Sequence, residues 1–482
     1  PTSVRPSKEV FAPPPTRIGW RLDVPSLPCR DMRLLTNLYR GGTSRGLVFS
    51  ASMLAPYTQN VRNQIICSAM GSPDPDLRQI DGVGGGVSSL SKVALISVPA
   101  VDSYFRRVRG LGPAWAFPGV SWADDARLAS DPKSGYHAVY RFGQVPVNDG
   151  TNIDWSTTCG NFLSAAAMQS FILHAAYFQR LLPASESDVT FVQFPMRILL
   201  AHNGQRATVH LPLTRSRKGH WHLSRKPDTH IAGVPGMAPG TRIDMPLTPQ
   251  VWPTGQPRNT IQLDGHEIPV SMVDVGLPTI FVHAKDLGVA PEQIIQPAHV
   301  LDSDKKLLAR IEAVRYQAAQ CAPQFSNLWS PSAPKVCLVH PRTAYTTSGG
   351  TQVRADDMDI LVRAVSVGNF HRSIMATALS ALAVGSTHPD SVVSEAYAAG
   401  AQVPCAMSQT HANPPALHAF TVGQPAGTSM AMVRCSEQDN APEAVVLDRT
   451  ARRIMHGNID VDVSDELWLS RQTYFGRTKP DP

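Results

Sequence analysis

The chain has 482 residues, enough for two or three domains, and its 43% hydrophobic and 17% charged residues are ordinary for a globular protein. Its 44 basic and 38 acidic residues leave a net +6, too mild and dispersed for nucleic-acid binding but suited to a small acidic substrate. There is no apolar run of about 18 residues to span a bilayer, and seven scattered cysteines without C-x-x-C spacing argue against zinc and for a reducing compartment.

Residues 1–30 carry Pro and Arg without an apolar core. They are expected to be a disordered N-terminal tail, or else the remnant of an organellar transit peptide. The expected location is cytoplasmic, with mitochondrial as the second choice. Order is expected from Met32. Tyr39-Arg40-Gly41-Gly42-Thr43-Ser44-Arg45-Gly46-Leu47-Val48-Phe49 reads as strand, glycine turn, strand, and 60–70 as a short helix. The run Ile80-Asp81-Gly82-Val83-Gly84-Gly85-Gly86-Val87-Ser88-Ser89-Leu90-Ser91-Lys92 then feeds an apolar strand over 93–98. Residues 104–133 read as an insertion or long loop, and 137–142 as a strand. Thr158-Cys159-Gly160-Asn161 precedes 162–173, which is apolar nearly all round and so predicts a buried helix, capped by Thr158 or Asn161. Strands are predicted over 189–194, 197–202 and 207–213. The basic, loop-rich interval 214–257 is expected to hold an interdomain crossover.

The second half opens with a strand, Gly-Pro turn and strand over 267–282. A helix over 303–319 and strands over 335–339 and 360–367 follow. Gly368-Asn369-Phe370-His371-Arg372 leads into a second small-residue helix over 373–383, and short strands are predicted at 419–422, 429–435, 443–448 and 451–455. Gly160-Asn161-Phe162 and Gly368-Asn369-Phe370 echo one another at the two helix heads. The echo predicts a duplicated α+β fold with two β-rich halves, each wrapped around one central helix. The first domain would cover 31–215 and the second 216–482, whose last segment can return to the first. Facing helix N-termini would then form an anion-binding cleft.

The glycine run is neither a dinucleotide fingerprint, since Val87 stands where the third glycine belongs, nor a Walker loop. It is either a tight turn feeding a strand or a nest of N–H groups and hydroxyls around a carboxylate, with Gly85, Gly86, Ser88 and Ser89 as contacts. Lysine is scarce, ten in the chain, and Lys92 stands at the head of an apolar strand. Partial desolvation there would lower its pKa and make it a usable base. Cys159 is either a small buried hydrophobe or a thiolate favoured by a helix terminus. Arg40, Thr43 and Ser44 form either a solvated hairpin or a carboxylate clamp. His371 and Arg372 could bind a carboxylate or serve a capping or interdomain role. His220, His222 and His230 lack the Cys or acid partners a metal would want, so no metal is expected.

In order, the segments 40–46, 81–92, 159–161, 233–236, 253–255, 274–282 and 450–457 resemble the PrpF-type isomerases, the aconitate and methylitaconate Δ-isomerase group. The resemblance spans about 32–475 and is greatest to the fungal aconitate Δ-isomerases that feed itaconate synthesis. It implies a diaminopimelate-epimerase-like fold with the active site between two similar domains, and neither cofactor nor metal. It also implies catalytic roles for Lys92 and Cys159. The sequence departs from the family pattern at Arg45, Thr158, Leu277 and 370–373, which bears on the substrate more than on the reaction.

The expected activity is an allylic proton shift in an unsaturated tricarboxylate, cis-aconitate to trans-aconitate. A 2-methylaconitate, methylitaconate or 4-oxalomesaconate substrate is the alternative. Lys92 would be the base or proton shuttle and Cys159 the second acid/base or the stabiliser of the anion. Arg40, Thr43, Ser44, Gly160, Asn161, Thr279, His371 and Arg372, with the glycine-run residues, would bind carboxylates. An amino-acid epimerase normally needs two facing cysteines, and only Cys159 sits at a helix head. A non-catalytic carboxylate-binding protein would bind without exchanging protons. The expected partners are the small acid and at most a second copy of the chain, not nucleic acid or membrane.

Overall fold

The computed structural model describes residues 32–463 except 56, 102–134, 148–151, 185–187, 249, 323–329, 331–332, 401–416 and 439–440. The predicted tail and the predicted insertion over 104–133 lie outside the described residues. The first half contributes β1 (Met32–Gly41), β2 (Ser44–Ser50), β3 (Lys92–Ser97), β4 (Ala138–Gln144), β5 (Phe191–Leu200), β6 (Arg206–Arg215), β7 (Trp221–Leu223) and β8 (Gly240–Pro246). The second contributes β9 (Asn259–Leu263), β10 (His266–Asp274), β11 (Pro278–His283), β12 (Lys335–Pro341), β13 (Tyr345–Thr346), β14 (Gln352–Val353), β15 (Ile360–Ser366), β16 (Asn369–Phe370), β17 (Leu417–Gln424), β18 (Gly427–Cys435) and β19 (Pro442–Val461).

Strand pairing runs β1–β2–β3–β4–β5–β6–β8 and returns through β19 to β1, which closes a ring. Inside it lies a first central helix, Gly160–Leu173. A second path, β9–β10–β11–β12–β15–β17–β18–β19, wraps a second central helix, Ala376–Gly385. β19 therefore belongs to both wraps. This is the diaminopimelate-epimerase-like α+β fold.

Alternation along the strands explains how both helices are buried. On β3, Ala94 and Ile96 enter the central core, while Val93 and Leu95 enter an outer layer under the helix Gln59–Met70. On β12, Cys337 and Val339 face the central core, while Val336 and Leu338 face the layer under the helix Lys305–Gln320. Lys92 and Lys335 share the inward parity of their strands. Small residues such as Ala165, Ala166, Ala378 and Ala381 let strands approach the helices from all sides. Alanine also favours the helix itself.

Several predicted elements change. β5 runs unbroken through Pro195, because its neighbour β4 pairs only with Ile198–Leu200 and leaves one edge free where proline cannot donate. The interval read as a basic crossover holds β7 and β8, and β8 bridges β6 and β19. The two short strands predicted over 443–455 are one strand, β19. Gly368-Asn369-Phe370 does not head the second helix: it forms a turn into β16, with Val367 and Gly368 at φ 54° and 71°, and the helix starts at Ala376. Thr158 and Asn161 do not cap the first helix; the N-cap residue is Cys159, without a side-chain cap. The five described cysteines are not joined to one another, and among the described residues no helix is long and apolar enough to cross a membrane.

Candidate active site

The two central helices meet end to end. A Cβ built on Gly160, the first residue of one, would lie 3.3 Å from the Cβ of Ala376, the first residue of the other. Neither N-terminus has a side-chain cap. An α-helix leaves its first N–H groups without intrahelical acceptors, so two partial positive charges converge here. The cavity at this junction is lined by Thr43, Ser44, Ser88, Ser89, Lys92, Gln144, Cys159, Gly160 and Asn161 from the first half. Leu277, Lys335, Ser366, His371, Met375 and Thr377 close it from the second. Among the described lining residues there are two lysines and neither aspartate nor glutamate, a charge balance that favours an anion.

Lys92 Nζ donates to Gln144 Oε1 at 2.7 Å and stands 5.0 Å from the centre of the Phe142 ring. Burial lowers its pKa, and the nearby Cys159 partly opposes that shift. Gln144 in turn donates to the carbonyls of Ser88 and Ser91, at 3.0 Å each, tying the lysine to the end of the glycine run. Cys159 Sγ lies 3.5 Å from Ser44 Oγ, and Tyr140 donates to the Cys159 carbonyl at 3.3 Å. Asn161 donates to Thr43 Oγ1 at 3.1 Å and accepts from the buried Arg449 at 2.8 Å. Gly41 and Gly42 pack so closely on Asn161 that any Cβ there would collide with it.

The glycine run works mainly as a buttress. Val83 and Gly84 donate to the carbonyls of Ala69 and Met70 at the end of the helix Gln59–Met70. Gln79 Oε1 accepts from the Gly86 N–H at 3.0 Å and from the Ser91 hydroxyl. Arg45 reaches the carbonyls of Val83 and Gly84 at 3.4 and 3.3 Å. Gly85 and Gly86 are held back from the cavity, whereas Ser88 and Ser89 reach it.

Other predicted contacts also move. Arg40 gives its guanidinium to Gly42 O, Thr450 O and Thr450 Oγ1, each at 3.0 Å, and does not line the cavity. Arg372 is exposed outside it. Thr279 is fully buried beside Lys335 on the adjacent strand, with its hydroxyl on Leu277 O. His371 does line the cavity, 3.3 Å from Ser88 Oγ across the two halves, but from a turn before the second helix rather than from its head. The residue in the position of Cys159 is Met375, the N-cap of the second helix.

Burial, with Lys92, Lys335 and Arg363 nearby, pushes His371 down to about 3 from 6.5. The folded protein therefore holds a neutral imidazole where the unfolded chain would take a proton. The unfolded state binds more protons between these values, so stability falls as pH drops from 6.5 towards 3. His371→Gln is expected to flatten that part of a Tm-against-pH curve. An unchanged acid slope would show that other groups set it.

Lys335, which no single motif in the sequence singles out, opens its strand as Lys92 opens β3. Lys92-Val93-Ala94-Leu95-Ile96 and Lys335-Val336-Cys337-Leu338-Val339 are matching runs on matching strands. That Lys-Val-x-Leu repeat was the available signal. Gln144, at the end of β4, pairs with Lys92, and Ser366, at the end of β15, follows Val365, the partner of Val336.

The pattern defining the family described as PrpF protein matches residues 31–105 and 126–462. The 2-methyl-aconitate isomerase of Shewanella oneidensis is 26% identical over 453 residues, 89% of this chain and 97% of that protein. The 3-methylitaconate isomerase of Eubacterium barkeri is 27% identical over 446 residues, 90% and 98% of the two chains. The 4-oxalomesaconate tautomerase of Pseudomonas putida is 30% identical over 317 residues, 64% of this chain and 71% of that one. The crystal structure of a methylitaconate-delta-isomerase shares the fold with a TM-score of 0.58 at 24% identity, covering 94% of this chain and all of the other.

Proposed function

The chain belongs to the PrpF family, and on that premise we propose that it is a cofactor-independent isomerase that moves a double bond by an allylic proton shift in an unsaturated tricarboxylate. The substrate that we propose is cis-aconitate, converted to trans-aconitate. One observation carries the reading: a buried lysine and a thiol share a cavity with two uncapped helix N-termini and with no acid among its described lining residues.

Lys92 removes a proton from the methylene carbon next to a carboxylate. The electron pair spreads over the allylic system as a dienolate, whose carboxylate oxygens are held by helix-terminal N–H groups and by the hydroxyls of Ser44, Ser88 and Ser89. A proton then returns to the far allylic carbon. In aconitate the skeleton carries three carboxylates, so the shift regenerates the same constitution with the new double bond in the other geometry. Cys159 is the second acid/base or the stabiliser of the anion.

A 2-methylaconitate, methylitaconate or 4-oxalomesaconate substrate is the second reading. The names of the matched relatives favour it, and Leu277 and Met375 offer an apolar wall to a methyl group. The epimerase reading loses support because Met375, not a thiol, opposes Cys159.

Proton NMR of the purified protein with each of these acids in D2O separates the readings. The expected result is conversion of cis-aconitate with carbon-bound deuterium in the product. Faster conversion of a methylated or keto acid moves the assignment to that substrate. Binding without conversion or exchange across the panel would reduce the protein to a carboxylate binder and overturn the proposal.

A further inference from the structure

We infer that Lys335 is the second proton carrier of this site, so that one lysine from each half serves one end of the allylic system. The inference rests on the isomerase reading above and extends it to a residue in the second half.

The placement comes from the duplicated fold. Lys92 opens β3, which pairs in parallel with β2 at Gly46 and antiparallel with β4 at Gln144. Lys335 opens β12, which pairs in parallel with β11 at Thr279 and antiparallel with β15. Each lysine has the inward parity of its strand, and both line the same cavity. Each is buried, at 8% and 7% exposure, and each is steered by a neutral partner: Lys92 by Gln144, and Lys335 by Thr377 Oγ1 at 2.9 Å. Neither has a carboxylate within salt-bridge distance among the described residues. Thr377 is the second residue of the second central helix, so Lys335 Nζ sits where the two helix ends meet.

The charges around Lys335 suit a group that changes protonation. Burial and Lys92 push it down, while Cys159, Cys337 and Asp154 oppose the shift, leaving it at about 7. His371, also in the cavity, is held neutral. A lysine that titrates near neutrality can give a proton as an ammonium and be left as an amine. Two adjacent lysines also disfavour double protonation.

In the forward direction neutral Lys92 takes the methylene proton and becomes an ammonium, and the carbon electron pair becomes the dienolate. Ammonium Lys335 then protonates the far carbon and becomes an amine. Charge and protons balance, no oxidant or reductant is needed, and one proton exchange between the lysines or with solvent resets the pair. Cys159 is then left with the task of stabilising the anion.

The test uses Lys335→Met and Lys92→Met, each with cis- and with trans-aconitate in D2O. Wild type is run in parallel on both acids. Its failure to turn over any unsaturated acid would overturn the isomerase reading itself. Given an active wild type, Lys335→Met is expected to lose interconversion by about 100-fold or more. It should still exchange the methylene proton of one isomer for deuterium, because Lys92 can remove that proton and return a deuteron to the same carbon. Lys92→Met should show the complementary pattern with the other isomer. Retained exchange also proves that the variants fold, and Lys335→Gln repeats the test if the Met variant does not. Interconversion by Lys335→Met at the wild-type rate would overturn the inference. So would loss of both exchange and interconversion with rescue by Lys335→Arg, because a fixed cation would then suffice and Lys335 would be a carboxylate clamp.

Discussion

Lys92→Met is expected to lower kcat by about 10³-fold, within the range that loss of a positioned acid or base costs, without loss of the fold. The side chains are similar in length, and the change removes an amine that burial already disfavours in its charged form. Gln144 Oε1 loses its 2.7 Å donor, a cost of about 1–3 kcal/mol for an unsatisfied buried acceptor. Removal of the desolvated amine works in the opposite direction. Stability should therefore move little while chemistry collapses, and thermal unfolding beside turnover measures both. Because the catalytic form is the neutral amine, wild-type activity should rise with pH through the lowered Lys92 pKa. Activity near wild type in Lys92→Met would remove Lys92 from the mechanism.

Cys159→Ala is expected to lower kcat by about 10²-fold and to shift the acid limb of the pH profile to lower pH. The sign follows from the electrostatics of the pair. Cys159 raises the pKa of Lys92 against the effect of burial, so removing the thiol lets that pKa fall further. Neutral Lys92 would then persist to lower pH. Cys159→Ser, which keeps a polar group 3.5 Å from Ser44 Oγ, should fall between alanine and wild type. A loss of rate with no movement of the acid limb would mean that Cys159 packs the helix head without sensing the charge on Lys92.

Much of the first half was legible because local signals and tertiary use coincide there. Leu47, Val48 and Phe49 alternate between two buried layers, Gly42 needs its positive φ, and the helix 160–173 is apolar on every face. The second wall was harder to read. The Gly-Asn-Phe echo points to 368–370, where the glycine serves a turn eight residues before the helix, while the echo that reaches the cavity lies in Lys335-Val336-Cys337-Leu338. Arg40 shows another limit. An arginine beside two glycines can reach a ligand or a backbone carbonyl, and the choice depends on β19, about 410 residues away, which offers Thr450. Likewise β8 lies in a stretch without strong periodicity, and it becomes a strand because β6 and β19 each present it an edge.

The central claim is that the double bond moves because a proton moves. cis-Aconitate carrying two deuterons on its methylene carbon tests it directly in ordinary water. The account predicts trans-aconitate in which that carbon has become the vinylic carbon and keeps one deuteron, while the new methylene comes from the former vinylic position. trans-Aconitate that retains both deuterons on an unchanged methylene would mean rotation about the double bond without proton transfer, and would contradict it.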